Sequence, residues 1–310
     1  MKRQYVKPFK NYEEQVELLT SRGLAPRNRD EAVRFLSYVN YYRFTGYAYI
    51  FKNLGSETYR SDVAFEDVVA LYRFDRALRS IIADGIALIE IYARTKIAHF
   101  IAEKYGPFGH ANEANFLDRR SFKRWRDMAC HEAEASVKKP FGVASTRHFR
   151  EVYAEWPNLP IWILTDILPF GNLTRLFSLL GESDQKKIAN EFGLKSGEVL
   201  NSWFGTLTAT RNICAHFERL WNRTTRVAPS IPNTSEWDFV RDTNRKIFPV
   251  FTMVKYSLDV IAEKTSESTD WKERFCKIME ARPRGPLDDE FYRIQMGFDP
   301  DWRTREIWKR

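Results

Sequence analysis

A chain of 310 residues with 44% hydrophobic and 29% charged side chains is long enough to bury a sizeable core and too apolar to remain disordered. A formal net charge of +8 and an isoelectric point near 9.3 point to an anionic partner, nucleic acid before a membrane, since no run of about 18 apolar residues is present to span a bilayer. The start from Met1 to Pro8 is basic with no apolar secretory region behind it, and the three cysteines, Cys130, Cys214 and Cys276, form no Cys-x-x-Cys pair, which fits a reducing cytoplasm rather than a disulfide or zinc framework.

A short helix is expected over Tyr12–Ser21, stopped by Gly23 and Pro26. A second starts near Asp30, carries Val33, Phe35, Leu36, Val39 and Tyr42, and runs into Tyr41-Tyr42-Arg43-Phe44-Thr45-Gly46-Tyr47, where the glycine is expected to break it. The aromatics there serve either as packing between two helices or as base-stacking surfaces with Arg43 on a phosphate. From Phe65 to about Tyr105, apolar residues recur at helical spacing without a proline, so one long helix or two nearly continuous ones are expected, kinked at Gly85 and ended at Gly106-Pro107. Late in this segment stands Arg94-Thr95-Lys96-Ile97-Ala98-His99; Glu90 lies one turn before Arg94, so the arginine is most simply half of a helix-face ion pair, and a second site is the lesser reading.

The stretch Arg119-Arg120-Ser121-Phe122-Lys123-Arg124-Trp125-Arg126 packs five cations and two aromatics into eight residues. It reads either as RNA-contacting or as a solvated helix face with two anchors. Lys138–Gly142 is a loop, and a helix carrying Phe149, Val152, Tyr153 and Trp156 follows. Leu159–Leu173 is apolar with proline-glycine punctuation, which predicts short helices that turn sharply. Ser183 is the expected cap of the next helix. Beyond residue 223, Pro229 and Pro232 break the chain; a helix from Ser235 to Lys264 is expected to be kinked or divided by Pro249, and Trp271–Met279 is a shorter one. The basic-aromatic tail from Trp302 to Arg310 is a docked helix or an RNA-contacting arm. With no fixed-period repeat and almost no period-two alternation, the reading is all-α, in three parts: 1–60, a helical core over 61–264, and 265–310.

The chemistry concentrates in Arg211-Asn212-Ile213-Cys214-Ala215-His216, followed by Phe217-Glu218-Arg219-Leu220-Trp221-Asn222-Arg223. The helix carrying it is expected to begin at Ser196. If helical throughout, Trp203, Leu207, Thr210, Cys214, Phe217 and Trp221 form an apolar stripe, and Asn212, His216, Arg219 and Arg223 form a polar one opposite. Arg211 flanks the polar stripe, about 100° round the helix from Asn212. An imidazole ordinarily titrates around pH 6.5 and can act as base or acid. A guanidinium is a permanent planar cation for a phosphate, and an amide can orient the imidazole. Those are the parts needed to cleave RNA through its own 2′-hydroxyl, leaving 2′,3′-cyclic phosphate and 5′-hydroxyl ends, with no metal and no cofactor. No glycine-rich phosphate loop and no His-Glu-x-x-His motif competes with this reading.

The segment resembles the signature of HEPN-type ribonucleases, an Arg, a polar residue, three variable positions and a His. Its extension through Leu220-Trp221-Asn222-Arg223, the Tyr-Tyr-Arg-x-x-Gly-Tyr run at 41–47, and the Pro-x-Trp and Phe-Gly-x-Leu stretches at 160–162 and 170–173 are together similar to the AbiD/AbiF-like abortive-infection proteins of bacterial phage defence. That resemblance covers roughly residues 30–225. It implies a HEPN-type helical bundle and an endoribonuclease with Arg211, Asn212 and His216 in its site. It also implies two motifs facing each other across a two-fold axis. The second would come from another copy, since a homodimer places the polar stripe opposite itself, or from Arg94 and His99. Arg219, Arg223, Arg43, Arg119, Arg120, Lys123, Arg124 and Arg126 are the expected RNA contacts, and a small RNA antitoxin the expected restraint in a toxin–antitoxin arrangement. A non-catalytic RNA-binding scaffold and a protein-interaction module with a basic surface are the rival readings. One departure stands out: the family commonly has a second histidine directly after the first, and here that place is Phe217, read as structural on the apolar stripe.

Overall fold

The computed structural model describes Gln4, Val6, residues 8–138 and residues 143–310. Of the expected loop over 138–142, residues 139–142 lie outside the described residues, as do Met1, Lys2, Arg3, Tyr5 and Lys7 of the basic start. The fold is all-α; among the described residues there is no strand, only an isolated bridge between Lys52 and Tyr59. The helices are α1 (Tyr12–Ser21), α2 (Arg29–Val39), α3 (Tyr41–Ala48), α4 (Phe65–Tyr105), α5 (Arg119–Lys138), α6 (Ala144–Val152), α7 (Ile161–Ile167) and α8 (Phe170–Leu179). They continue with α9 (Glu182–Glu191), α10 (Gly197–Ala215), α11 (Asp238–Arg241), α12 (Phe248–Thr265), α13 (Trp271–Glu280), α14 (Asp289–Met296) and α15 (Glu306–Lys309). The chain divides into two compact units, one of Met1–Arg79 with Arg274–Tyr292, the other of Ser80–Glu273 with Arg293–Arg310.

In the first unit, Asn11 and Glu14 close a capping box at the start of α1, each side chain accepting from the other's backbone N–H, at 2.8 and 2.7 Å. Asn40, in the left-handed region at φ 68°, separates α2 from α3, and its side chain accepts from the Tyr42 N–H at 2.9 Å. The aromatic run is therefore a helix of its own, and Gly46 lies inside it instead of breaking it. Phe44 and Tyr47 turn inward, and Phe44 stacks on Phe65 with ring centroids 4.4 Å apart. The Tyr47 hydroxyl donates to the buried Asp75 carboxylate at 2.5 Å and accepts from Arg79 at 2.9 Å, while Asp75 and Arg79 pair. Burial lifts the Tyr47 phenol well above the usual tyrosine range, so it stays a donor to the charged pair.

The second unit holds α4 from Ser80 onward. That helix runs unbroken through Gly85, which serves close packing and not a kink: a Cβ there would lie 2.4 Å from Val254 Cγ1 and 2.7 Å from Trp271 Nε1. Trp271 Nε1 donates to the Ile81 carbonyl at 2.6 Å. Farther along, Lys96 pairs with Glu191 at 2.7 Å and Lys104 with Asp184 at 2.5 Å, fastening α4 to α9. Phe204 of α10 is surrounded edge-on by Phe170, Phe177 and Phe192 at 5.2 to 6.1 Å.

Several expectations are corrected here. The helix after 143 ends at Val152, so Trp156 lies beyond it, and Val152 and Tyr153 are 57% and 49% exposed. Gly181, not Ser183, is the N-cap of α9, which starts at Glu182, two residues earlier than a Ser183 cap implies. The span 235–264 is divided, as Pro249 predicts, though the break falls before the proline: a 3₁₀ turn and the four-residue α11 end at Arg241, and Pro249 sits in the first turn of α12, where a missing N–H costs nothing. The proline-glycine-rich stretch after Met279 contains α14. The tail is docked: Trp302 and Trp308 are buried, and Trp308 stacks on Phe248 at 5.6 Å and donates to Thr252 at 3.3 Å.

Candidate functional site

The Ser196 side chain caps α10 by accepting from the Val199 N–H at 3.4 Å. Trp203, Leu207, Thr210 and Cys214 are buried along one face, as their spacing predicts. Polar anchors lock that face: Trp203 Nε1 donates to the Ser230 carbonyl at 2.9 Å, and the Thr206 hydroxyl donates to the Val227 carbonyl at 3.2 Å.

The helix stops at Ala215, earlier than the sequence suggests, and His216 is its C-cap. The stop is a left-handed closure. The Glu218 N–H donates back to the Ile213 carbonyl at 3.0 Å and the Phe217 N–H to the Cys214 carbonyl at 3.0 Å, with Phe217 itself at φ 54°. Glycine ordinarily holds such a position, because a Cβ there costs energy. The expected long stripes are therefore corrected beyond residue 215. Phe217 is not on an apolar stripe but 65% exposed, while Arg219 and Arg223 lie on the loop that follows. Leu220 and Trp221 are fully buried and tie that loop down, and the Thr225 N–H and hydroxyl both donate to the Arg245 carbonyl, at 2.8 and 3.1 Å.

What remains at the end of α10 is a compact polar group. Arg211, Asn212 and His216 are exposed, and their side chains make no hydrogen bond or ion pair to any described residue. Arg223 pairs with Glu218, a partner that the sequence reading did not single out. Arg219 is half-buried. Among the described residues, no three His, Cys, Asp or Glu side chains are grouped as a metal site.

The other arginine-histidine pair has different surroundings. Arg94 pairs with Glu90 and donates to the Thr165 carbonyl of α7, so its guanidinium is engaged at both ends. His99 is exposed at the rim of a groove of about 310 Å³ that Trp162 and Asp166 of α7 also line, and no residue of 211–223 lines it. The sequence reading did not single out Trp162 and Asp166, which line this groove; their four-residue spacing on a short, mostly apolar helix was the available signal.

On α5 the cations Arg119, Arg120, Lys123, Arg124 and Arg126 are all exposed, whereas Phe122 and Trp125 are buried. Phe122 stacks on Phe116 at 4.7 Å, and Trp125 Nε1 donates to the Asn172 carbonyl at 2.9 Å. This face offers charge for a phosphate backbone but no stacking surface. Arg43 is exposed on α3, in the first unit. The buried His110 meets Trp125 edge-on at 6.3 Å; burial and then the Arg126 charge push its pKa down to about 4. No helix among the described residues is long and apolar enough to cross a membrane.

A family model described as Abi-like protein matches residues 34–222, more than half of the chain. No curated protein and no solved structure matches. The matched span reaches from α2 through the end of α10 to Asn222, and so takes in Arg211, Asn212 and His216.

Proposed function

The chain belongs to the abortive-infection family of Abi-like proteins, and on that premise we propose that it is a metal-independent, HEPN-type endoribonuclease of phage defence. The observation that carries this reading is the trio at the end of α10. A cation, an amide and an imidazole are exposed together, unengaged by any described residue, on a helix whose opposite face is locked into the core.

In the proposed reaction the 2′-oxygen of a ribose attacks the adjacent phosphorus, and the bond to the 5′-oxygen breaks. His216 takes the 2′-hydroxyl proton or delivers one to the departing 5′-oxygen. Arg211 stabilises the charge growing on the non-bridging oxygens, and Asn212 orients the imidazole or donates to the phosphate. Because one imidazole serves one proton transfer, the other agent comes from a second copy of the chain, across a two-fold axis that sets the same trio opposite itself. The engagement of Arg94 with Glu90 and Thr165 argues against the in-chain alternative, Arg94 with His99. The exposed cations of α5 supply positive charge for the flanking phosphates.

Incubating the purified chain with single-stranded RNA in EDTA tests the reading. Cleavage with 2′,3′-cyclic phosphate ends, abolished in His216→Ala, is expected. Intact RNA under permissive conditions, or undiminished cutting by that variant, sinks the mechanism; binding without cleavage favours a scaffold. Sedimentation of the free protein tests the two-fold arrangement, and a monomer that cuts RNA at full rate excludes it.

A further inference from the structure

The groove between α4 and α7 is a cavity whose lining the proposed reaction leaves unused. On α4, Thr95, Ala98, His99 and Ala102 fall at helical spacings of three and four, and on α7 Trp162 and Asp166 do the same. The two alanines leave the floor open where larger side chains would fill it. Trp162 is 51% exposed, an unusual situation for an indole in a chain that buries Trp203, Trp221, Trp237, Trp271 and Trp308 almost completely. The Arg94 guanidinium pins the two helices through the Thr165 carbonyl, and its charge is answered by Glu90.

The chemistry of this groove does not suit a phosphate, because its cation is already paired and Asp166 adds an exposed carboxylate. It suits a flat, neutral ring. We propose that the groove holds one unstacked base of a single-stranded RNA, with the ring against Trp162 and its Watson–Crick edge on Asp166. Single-stranded RNA is recognised in this manner, by aromatic stacking and by hydrogen bonds to exposed base edges. A carboxylate is an acceptor with two oxygens, and guanine alone among the four bases presents two adjacent donors on that edge, N1–H and the 2-amino group. His99 then meets the purine as a donor to O6 or N7. The volume of about 310 Å³ lies at the small end of ligand pockets, roughly 300–1,000 Å³, and suits one nucleoside rather than a duplex. His99 becomes a base-reading residue, not half of a second catalytic pair.

This inference rests on the proposal that the chain acts on RNA, and the experiment separates the two. Uncleavable 2′-O-methyl hexamers carrying a single guanine, or inosine in its place, are titrated at low salt against the full chain and its variants, with anisotropy as the readout. Inosine lacks only the 2-amino donor. The wild type is expected to prefer guanine by about tenfold, Asp166→Asn to lose that preference, and Trp162→Ala to bind both hexamers about tenfold more weakly. Both substituted side chains are exposed, and circular dichroism confirms that the variants fold. A wild type that cuts ordinary RNA but binds the two hexamers equally, or variants that bind as it does, overturn the groove assignment alone. A wild type that neither cuts RNA nor binds either hexamer overturns the RNA reading, and the groove assignment with it.

Discussion

Two segments of this chain are spelled alike, Arg94 to His99 and Arg211 to His216, and the fold uses them differently. Arg94 lies within a 41-residue helix, meets Glu90 one turn away and donates through its other terminal nitrogen to the Thr165 carbonyl. Arg211 lies near the end of a 19-residue helix, where no described residue answers it. The spacing supplies only the chance of a site. Whether the fold neutralises the cation or leaves it to a ligand decides the rest.

Breaking the contrast takes paired variants, and the histidines should show the largest effect. His216→Ala is expected to lower the rate of RNA cleavage in EDTA by about 10²–10⁴-fold, the usual worth of a general acid or base. His99→Ala is expected to leave the rate at saturating RNA within a few-fold. Equal losses in both would merge the two segments into one site.

Stability should invert that order. Arg94→Met strands a Glu90 carboxylate that is only 15% exposed and a carbonyl that loses its donor, at a cost of about 2–3 kcal/mol in urea unfolding. Arg211→Ala removes an exposed side chain with no described partner and should stay within about 0.5 kcal/mol of the parent.

A third histidine sharpens the comparison from the buried side. His110, pushed down to about 4, remains neutral in the folded chain where an unfolded histidine, with a pKa near 6.5, takes up a proton. The unfolded state therefore binds more protons between those values, so this contribution is complete above about pH 6.5 and is lost as pH falls towards 4. The loss amounts to about 2–3 kcal/mol, read as the difference in unfolding free energy between the parent and His110→Gln across that window. A difference that does not change with pH would refute it.

A small effect of the opposite sign is expected at Phe217. Its left-handed backbone is strained for any residue with a Cβ, and its ring is mostly exposed, so Phe217→Gly should raise stability by about 0.5–1 kcal/mol in urea. A lower unfolding midpoint would mean that the ring's contacts outweigh the strain.

Phe217 also shows where sequence reading stops. The boundaries of α1 and α4, and the presence of short helices where α7 and α8 lie, were legible because apolar spacing, glycines and prolines act locally. The end of α10 was not. Ala215-His216-Phe217 contains no glycine or proline, and only the burial of Leu220 and Trp221 reverses the chain there. The same reason hid α14, which no expectation covered: Pro283, Gly285 and Pro286 precede it, and Tyr292 and Met296 are fully buried. In the candidate site, Arg211, Asn212 and His216 could be named from the sequence. So could the pairing of Arg94 with Glu90, but not its contact with Thr165 or the groove beneath Trp162, because Thr165 and Asp166 lie some seventy positions away along the chain.

The notch at Gly85 acts at a distance. Val254 and the Trp271 indole lie where a side chain would be and hold α4 at one angle about its own axis, as a key holds a shaft. Fourteen residues on, about 20 Å along the helix, that angle decides that His99 rather than a neighbouring side chain meets the groove. One methyl group at position 85 would therefore bear on the lining of that groove, although position 85 is no part of it.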